Sequence, residues 1–229
     1  MKVDPGRVVV TGGASGLGAA TACAIAAAGG TPVVLDRRPP PGQLDHELVD
    51  LADTGAAEDA VARVAERLGG LDAVVTCAGT DIPAPLDAID RLTWERTVTV
   101  NLLATAATVR AALPALFASH GRVVTVASTL GLRGAGDATA YCASKFGVVG
   151  FTRALAAETA GRIGVTLLVP GGMATAFFDE REEKYRPPAE AVLSPPHEVA
   201  DAVLYALTRP PGVEVRELVV CPSLESSWP

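Results

Sequence analysis

The sequence is poor in the side chains that build metal sites and disulfide frameworks. It has only four cysteines and three histidines in 229 residues. No two cysteines form a CxxC pair, and the histidines share no metal-ligand spacing with one another or with a cysteine. We therefore expect no metal site and no disulfide, and free thiols in a reducing compartment. The residues concerned are Cys23, Cys77, Cys142, Cys221, His46, His120 and His197.

The sequence also lacks a basic run and a long apolar run. Its net charge of −7 is spread along the chain, without the Lys/Arg cluster that follows a phosphate backbone, so we expect no nucleic-acid partner. The start MKVDPGRVVV reaches a glycine loop by residue 12, which leaves no room for a signal peptide. We find no apolar run of membrane-spanning length. These absences predict a cytoplasmic protein without a membrane partner.

What the chain does contain is a regular alternation of β-branched apolar runs and Ala-rich helical stretches. This pattern is typical of an α/β protein, a Rossmann-type doubly wound fold with a seven-stranded parallel sheet and helices on both faces. The length suits one domain over residues 1–229. The predicted strands are 7–11, 31–36, 46–50, 72–76, 122–127, 163–169 and 213–220. The predicted helices are 16–28, 54–68, 92–119, 139–160 and 195–208.

A glycine-rich loop follows the first predicted strand and runs into the first helix. Glycines let the backbone approach a pyrophosphate, whose charge is then stabilised by the N–H groups and dipole of the helix N-terminus. An ordinary tight strand-to-helix turn is the alternative, and it is disfavoured by the loop's position after the first strand. The candidate cofactor contacts here are Gly12, Ala14, Ser15, Gly16, Leu17 and Gly18.

The end of the second predicted strand bears on which nicotinamide cofactor is bound. Asp36 can accept hydrogen bonds from the hydroxyls of an adenosine ribose, whereas a 2′-phosphate would be repelled by this carboxylate. Arg37 and Arg38 could instead bind such a phosphate, or could form a solvated loop pair. The sequence favours NAD(H) over NADP(H).

Tyr141 and Lys145 are spaced by four residues, which places them on one face of a predicted helix. A phenol has a pKa of about 10, and a cation about 4 Å away contributes on the order of 4 kcal/mol at an effective dielectric near 20. Lys145 is therefore expected to help lower the pKa of Tyr141 towards neutrality. A surface pair on a helix is the alternative for these two residues taken alone.

Two further polar residues, Ser128 and Asn101, are candidates for the active site. Ser128 ends the fifth predicted strand, where its hydroxyl can donate to a substrate oxygen that gains negative charge. Asn101 lies within a long predicted helix, although asparagine prefers caps and turns. Taken alone, Asn101 is better explained as an exposed amide on the helix surface.

In order and spacing, these motifs resemble those of the short-chain dehydrogenase/reductase family over nearly the whole chain. The segment TGGASGLG at 11–18 matches the family's cofactor loop. Asn101, Ser128, Tyr141 and Lys145 match its catalytic tetrad. The resemblance implies that Tyr141 exchanges a proton with the substrate oxygen, that Ser128 polarises and orients this oxygen, and that Lys145 holds the ribose. It also implies that Asn101 positions a water linking Lys145 to solvent.

The resemblance adds further cofactor contacts, with two departures. Relatives usually carry Asn-Asn-Ala-Gly where this chain has Thr76-Cys77-Ala78-Gly79, so contacts there are expected through the backbone. The ending VRELVVCPSLESSWP resembles a shorter branch of the family that includes hydroxy-acid dehydrogenases, several of which prefer NADP. The contacts implied are Asp50, Leu51, Cys77, Ala78, Gly79, Tyr141, Lys145, Pro170, Gly171 and Thr175, together with Arg37.

The predicted function is an NAD(P)-dependent oxidoreductase, a ketone reductase or secondary-alcohol dehydrogenase acting on a small carbonyl or hydroxyl substrate. The alternative is a catalytically idle NAD(P)-binding sensor or scaffold on the same fold. Residues 173–193 begin with apolar side chains and are expected to form a substrate lid. The charged run 179–184 within them is typical of a solvated helical face. A helix rich in small residues near 140–157 and the family resemblance favour a homotetramer, with a dimer next.

Overall fold

All seven strands form one parallel sheet in the order β3-β2-β1-β4-β5-β6-β7. The computed structural model describes residues 4–228. From β1 the sheet is extended by β2 and β3 on one side, and from β4 it is extended by β5, β6 and β7 on the other. This reversal is that of a doubly wound sheet and confirms the predicted Rossmann-type fold. The strands are β1 Arg7–Thr11, β2 Thr31–Asp36, β3 Asp45–Leu48, β4 Ala73–Thr76, β5 Arg122–Val126, β6 Gly164–Pro170 and β7 Glu217–Val220.

Helices cover both faces of this sheet because its central strands are apolar on both sides. In β1, Val9 faces a core formed with α2 and α4, whereas Val8 and Val10 face a second core formed with α1 and α6. Leu155 of α5 packs into the first core. The helices are α1 Gly16–Ala27, α2 Thr54–Leu68, α3 Arg91–Val98, α4 Ala104–Ser119, α5 Thr139–Glu158 and α6 Pro196–Leu207.

Several element bounds differ from the sequence prediction. The predicted strand 213–220 pairs with β6 only over Glu217–Val220, and the predicted strand 46–50 ends at Leu48. The charged run 179–184 does not form the solvated helix expected of it. A 3₁₀ turn at Ala176–Phe178 precedes the run, a second at Glu183–Tyr185 includes its last two residues, and the rest of the run is irregular. The predicted helix 92–119 is helical throughout, but a π-helical turn at Thr99–Leu103 separates α3 from α4.

The stretch Arg91–Ser119 also corrects the expectation that nothing in the chain is apolar enough to cross a membrane. By length and composition it could do so, with a mean hydropathy of 1.5 over its best window. Buried residues of α4, among them Val109, Ala112 and Leu116, pack in the core that α4 shares with α2. In all, 39% of that window is buried inside the protein, so this packing accounts for part of the apolar composition.

Candidate active site

The glycine loop joins β1 to α1 at the carboxyl edge of the sheet. Gly12 has a φ of +71° and lies against the backbone of Ala78, so only glycine fits this turn without strain. α1 begins at Gly16, and the Ser15 side chain caps none of its N–H groups. The first turn of α1 therefore offers backbone donors to a phosphate, with Leu17 and Gly18 buried beneath.

The half-buried Asp36 closes the other side of this loop. Its Oδ2 accepts a hydrogen bond from the N–H of Ala14 at 3.0 Å, and its Oδ1 accepts one from the N–H of Arg38 at 3.1 Å. The carboxylate is thus fixed beside the loop, while the side chains of Arg37 and Arg38 are exposed. Negative charge therefore stands at the position predicted for the adenosine ribose.

The next expected cofactor contacts, Asp50 and Leu51, follow β3. Asp50 lies two residues beyond the strand, and both of its carboxylate oxygens accept from Arg96 Nη2 at 3.1 Å. A backbone hydrogen bond from Ala52 holds the pKa of Asp50 below its usual value, with help from Arg96 and Arg37. Leu51 is buried in the core. Any contact of Leu51 with a ligand must therefore use its backbone.

The segment after β4 lies between the glycine loop and the polar cluster. The N–H of Ala78 donates to Thr11 Oγ1 at 3.2 Å. A side chain at Gly79 would lie 3.6 Å from Asn101 Oδ1 and 3.7 Å from Lys145 Nζ. Burial raises the pKa of the Cys77 thiol to about 12, so this sulfur is a neutral neighbour of the site.

Asn101 owes its position to the π-helical turn. An extra residue in a turn bulges the helix, and such bulges often occur at functional sites. Here Asn101 is buried, so the expectation of an exposed amide on the helix surface was wrong. Its Oδ1 accepts from the N–H of Thr80 at 2.8 Å, and its Nδ2 donates to the carbonyl of Thr80 and to Ser144 Oγ, both at 3.0 Å. Asn101 thereby fixes the loop after β4 against α5.

Ser128, Tyr141 and Lys145 converge at the carboxyl end of β5. Ser128 lies two residues beyond the strand, and its Oγ accepts from the N–H of Leu130 at 3.1 Å. Lys145 is buried, and its Nζ donates to the carbonyl of Val126 at 2.9 Å. This Nζ also lies 5.7 Å from the centre of the Tyr141 ring.

The pKa values of this cluster differ from the sequence expectation. Burial raises the pKa of Tyr141 to about 12, against an opposing hydrogen bond from Ser128. Burial also lowers the pKa of Lys145 to about 8. The prediction that Lys145 lowers the pKa of Tyr141 is therefore not met by the groups of the chain itself, because desolvation dominates and the opposing shifts come from Ser128 and Arg181.

The segment after β6 supplies the remaining candidate contacts. Pro170 is the last residue of β6, and the N–H of Gly171 donates to the carbonyl of Val220 at 2.9 Å. Thr175 caps the 3₁₀ turn Ala176–Phe178, and its side chain faces Gly16 of the glycine loop. Phe177 packs on the Tyr141 ring with the ring centres 5.9 Å apart. Residues 173–193 therefore reach both the loop and the tyrosine.

Sequence reasoning missed several residues at this edge. Thr80 and Ser144 hold Asn101, and nothing local in the sequence marks them. Asp81 and Arg181 form a buried ion pair beside Phe177, although Arg181 lies in the run that we expected to be a solvated face. Acidic and basic residues four positions apart in this run suggested a solvated helix. The adjacent phenylalanines Phe177 and Phe178 were the better signal, because apolar side chains indicate a segment that packs against the rest of the protein.

Comparisons with known proteins agree with this architecture. A sequence model described as short chain dehydrogenase matches residues 6–186. The chain is 32% identical over 233 residues to glycine betaine reductase of Emericella nidulans, covering 93% of this chain but only 18% of that protein's length. It is 29% identical to a 3-oxoacyl-(acyl-carrier-protein) reductase of Thermotoga maritima, covering 90% of this chain and 91% of the relative.

Among solved structures, a short chain dehydrogenase from Burkholderia cenocepacia in complex with NADP is 26% identical. The superposition has a TM-score of 0.84 and covers 96% of this chain and 98% of the other. Together with the glycine loop and the polar cluster at the carboxyl edge, these matches show that the chain belongs to the short-chain dehydrogenase family and is an NAD(P)-dependent oxidoreductase.

Proposed function

We propose that the protein is a ketone reductase or secondary-alcohol dehydrogenase acting on a small carbonyl or hydroxyl substrate. The observation that carries this proposal is the convergence of Ser128, Tyr141 and Lys145 beside the glycine loop. When bound there, the nicotinamide cofactor accepts or supplies the hydride and, in its oxidised form, carries a positive charge. The chain's own residues supply the proton and the orientation of the substrate.

In this proposal each polar residue has a distinct role. Ser128 donates a hydrogen bond to the substrate oxygen, and Tyr141 exchanges a proton with the same oxygen. Lys145 donates to the ribose from its buried position. Asn101 holds Thr80, and so keeps the loop with Gly79 at the correct distance from the amine of Lys145. The proposed water link between Lys145 and solvent would run past this loop.

The pKa of Tyr141 suits the reducing direction. With a pKa of about 12, the phenol keeps its proton at neutral pH and can give it to a carbonyl oxygen as that oxygen gains charge. The oxidising direction needs the phenolate, which positive charge nearby favours. Lys145, with a pKa of about 8, is mostly protonated at neutral pH and contributes part of that charge.

For the cofactor we propose a preference for NAD(H) over NADP(H). The Asp36 carboxylate is held beside the loop by Ala14 and Arg38, where it can accept from both ribose hydroxyls. A 2′-phosphate would bring like charge to the same place. The NADP-bound relative from Burkholderia cenocepacia shows that the family also accommodates NADP. The fold therefore does not decide between the two cofactors, and the proposed preference of this chain rests on Asp36.

We further propose that residues 173–193 form the substrate lid of a single domain. The support for this lid is that Phe177 contacts the Tyr141 ring and that Thr175 lies beside Gly16 of the glycine loop. Phe177 and Phe178 give this cover an apolar inner surface, which excludes water from hydride transfer. The two reductases that the chain resembles act on different compounds by name, so the substrate itself stays open.

We also propose a homotetramer, with a dimer as the alternative, located in the cytoplasm. The support for self-association is an exposed apolar face of α5 whose members recur every three or four residues. A cytoplasmic location is supported by four cysteines that form no disulfide within residues 4–228. The α5 face consists of Ala143, Phe146, Gly150, Ala154 and Ala157.

Tyr141→Phe tests the proposed function against the idle sensor. The variant should still bind NADH, measured by fluorescence titration, while turnover of a panel of ketones falls by at least about 10³-fold, as expected for loss of a general acid. Tyr205→Phe removes a half-exposed hydroxyl on α6 and serves as the control, with turnover unchanged. Wild-type protein that binds NADH but reduces or oxidises no member of the panel would favour the sensor.

A further inference from the structure

A buried ion pair stands beside Tyr141 and has no part in the proton transfer proposed above. Arg181 Nη2 lies 2.8 Å from Asp81 Oδ2, and the two side chains are only 13% and 5% exposed. Asp81 comes from the loop after β4 and Arg181 from the proposed lid. The pair thus connects two segments that are 100 residues apart in sequence.

The ion pair is connected to Tyr141 through the ring of Phe177. The guanidinium of Arg181 lies 4.8 Å from the ring centre of Phe177 and 4.7 Å from that of Phe178. Phe177 in turn packs on the ring of Tyr141. A planar cation held over an aromatic ring restricts both groups, and the hydrogen bond from Arg181 Nη2 to Asp81 fixes the cation. Phe177 is therefore positioned by the pair.

The two charges act on the Tyr141 hydroxyl in opposite directions. Asp81 raises the pKa of Tyr141 and Arg181 lowers it. The other groups that face the phenol are Ser128 after β5, and Cys142 and Lys145 on α5. Because the surroundings are largely buried, either charge alone would disturb the phenol more than it would in water.

We propose that Asp81 and Arg181 are positioning residues for the reaction. Together they hold Phe177 against the Tyr141 ring, and each offsets the charge of the other at the Tyr141 hydroxyl. The inference rests on the proposed function, in which Tyr141 exchanges the proton. It assigns to the lid a second task beyond excluding water, which is to keep the electrostatic surroundings of the phenol balanced.

Arg181 also affects whether the Asp81 carboxyl is ionised. Burial raises the pKa of Asp81 to about 6, although Arg181 opposes this shift. An isolated buried carboxylate would shift further, so the cation is needed to keep Asp81 charged at neutral pH. Without Asp81 the charge of Arg181 is uncompensated, whereas without Arg181 the Asp81 carboxyl keeps its proton to a higher pH and its charge is uncompensated only in the alkaline range. In that range the two single variants should have opposite consequences.

The test is the pH dependence of kcat/KM for alcohol oxidation, measured between pH 7 and 11. Oxidation requires the phenolate, so the rate rises with pH as Tyr141 loses its proton. The profile is measured at saturating oxidised cofactor, because its positive charge would lower the pKa of Tyr141 from about 12 towards this range. Asp81→Asn leaves the cation unopposed and should move this rise to lower pH by about 0.5 to 1 unit. Arg181→Gln should move it to higher pH by a similar amount, and the double variant should return close to wild type.

Two controls separate positioning from simple loss of structure. Arg181→Lys keeps the charge but not the planar stack, so it should leave the pH midpoint near wild type while lowering kcat. Arg91→Gln removes a cation from an exposed pair with Glu95 on α3 and should change neither quantity. Circular dichroism melting of every variant identifies any that fails to fold, and Arg181→Lys then decides the stacking role.

Some outcomes would overturn the inference. If Asp81→Asn and Arg181→Gln shift the pH profile in the same direction, or only lower kcat with no shift, the pair has a structural role alone. This failure is distinguishable from failure of the proposed function, which Tyr141→Phe decides. An inactive Tyr141→Phe with unshifted profiles retains the function and refutes the positioning role.

Discussion

At the residue scale, the proposed preference for NAD(H) depends on the carboxylate of Asp36. It is fixed by two backbone N–H groups rather than by a cation, so its negative charge is not neutralised locally. Arg37 and Arg38 stand next to it, exposed and able to reach a phosphate. Because one fixed anion lies beside two exposed cations, we expect cofactor preference to be sensitive to substitution at this position.

Asp36→Ala should shift the preference towards NADP(H). Loss of the repelling carboxylate should raise the ratio of kcat/KM for NADPH to that for NADH by about tenfold, which corresponds to about 1.4 kcal/mol. Initial rates with both cofactors give this ratio. Asp59→Ala removes an exposed carboxylate from α2 and is the control. An unchanged ratio would show that Asp36 takes no part in discrimination.

The burial of Lys145 lowers the free energy of unfolding at neutral pH. Its pKa falls from 10.5 to about 8 because the ammonium is buried, so below pH 8 the folded state holds a charge that burial disfavours. The pKa difference corresponds to about 3 kcal/mol at neutral pH. The hydrogen bond to the carbonyl of Val126 returns about 1 kcal/mol of this.

Lys145→Met should therefore abolish turnover and yet raise the free energy of unfolding by about 2 kcal/mol at pH 7. Between pH 8 and 10.5 the unfolded wild type binds more protons at this lysine than the folded wild type. The lysine's contribution to stability thus rises with pH, and the advantage of the variant shrinks. Urea unfolding at pH 7 and pH 10 measures both values. Lys184→Met, at an exposed lysine, should show no such pH-dependent gain.

At the element scale, α5 combines two surfaces. One face carries Tyr141, Ser144 and Lys145 towards the site, and the opposite face leaves Phe146 about half exposed. A buried contact between copies would cover this face and stabilise the helix that carries the tyrosine. Self-association and catalysis are then linked through one element.

Phe146→Glu should weaken the proposed tetramer, because it places a charge in an apolar contact. Light scattering should show the molar mass falling from that of four chains to that of two chains or one. Leu48→Glu on β3 adds the same charge at another exposed apolar residue outside the α5 face and should leave the mass unchanged. A wild-type protein that is itself monomeric would exclude the proposal.

The elements differ in how well they could be predicted from the sequence pattern. The strands near the centre of the sheet could be predicted because their residues are apolar on both faces and end at glycine or polar residues. The π-helical turn could not, since one extra residue in a 29-residue helix leaves no change in periodicity strong enough to see. The same turn moved Asn101 from the expected surface into the interior.

At the scale of the whole molecule, the unpredicted features are contacts between segments far apart in sequence. The Asp81–Arg181 pair joins the loop after β4 to the proposed lid, and Tyr185 OH donates to Asp137 Oδ2 at 2.9 Å, which connects the proposed lid to the loop after β5. No local window contains both partners of either contact. The glycine loop and the Tyr141–Lys145 pair are, by contrast, local patterns and could be found from the sequence.

The C-terminal segment makes a third contact between parts of the chain that are far apart in sequence. Glu225 Oε2 accepts from the N–H of Gly172 at 2.6 Å, and Ser227 Oγ donates to Glu225 Oε1 at 2.6 Å. Ser227 Oγ also lies 2.6 Å from Thr129 Oγ1, next to Ser128. The end of the chain thus ties the segment after β6 to the loop after β5, on either side of the site.

Glu225→Gln should raise the KM for the cofactor about three- to tenfold, because the segment from Gly171 to Gly172 loses the charged acceptor that fixes it. A charge-assisted hydrogen bond contributes about twice as much as a neutral one, so the amide can hold the segment only in part. Glu198→Gln, at an exposed position on α6, is the control. A rise in the ketone KM alone would show that the tail acts on the substrate side. If neither KM changes, the hydrogen bonds of Glu225 serve only to fasten the chain end.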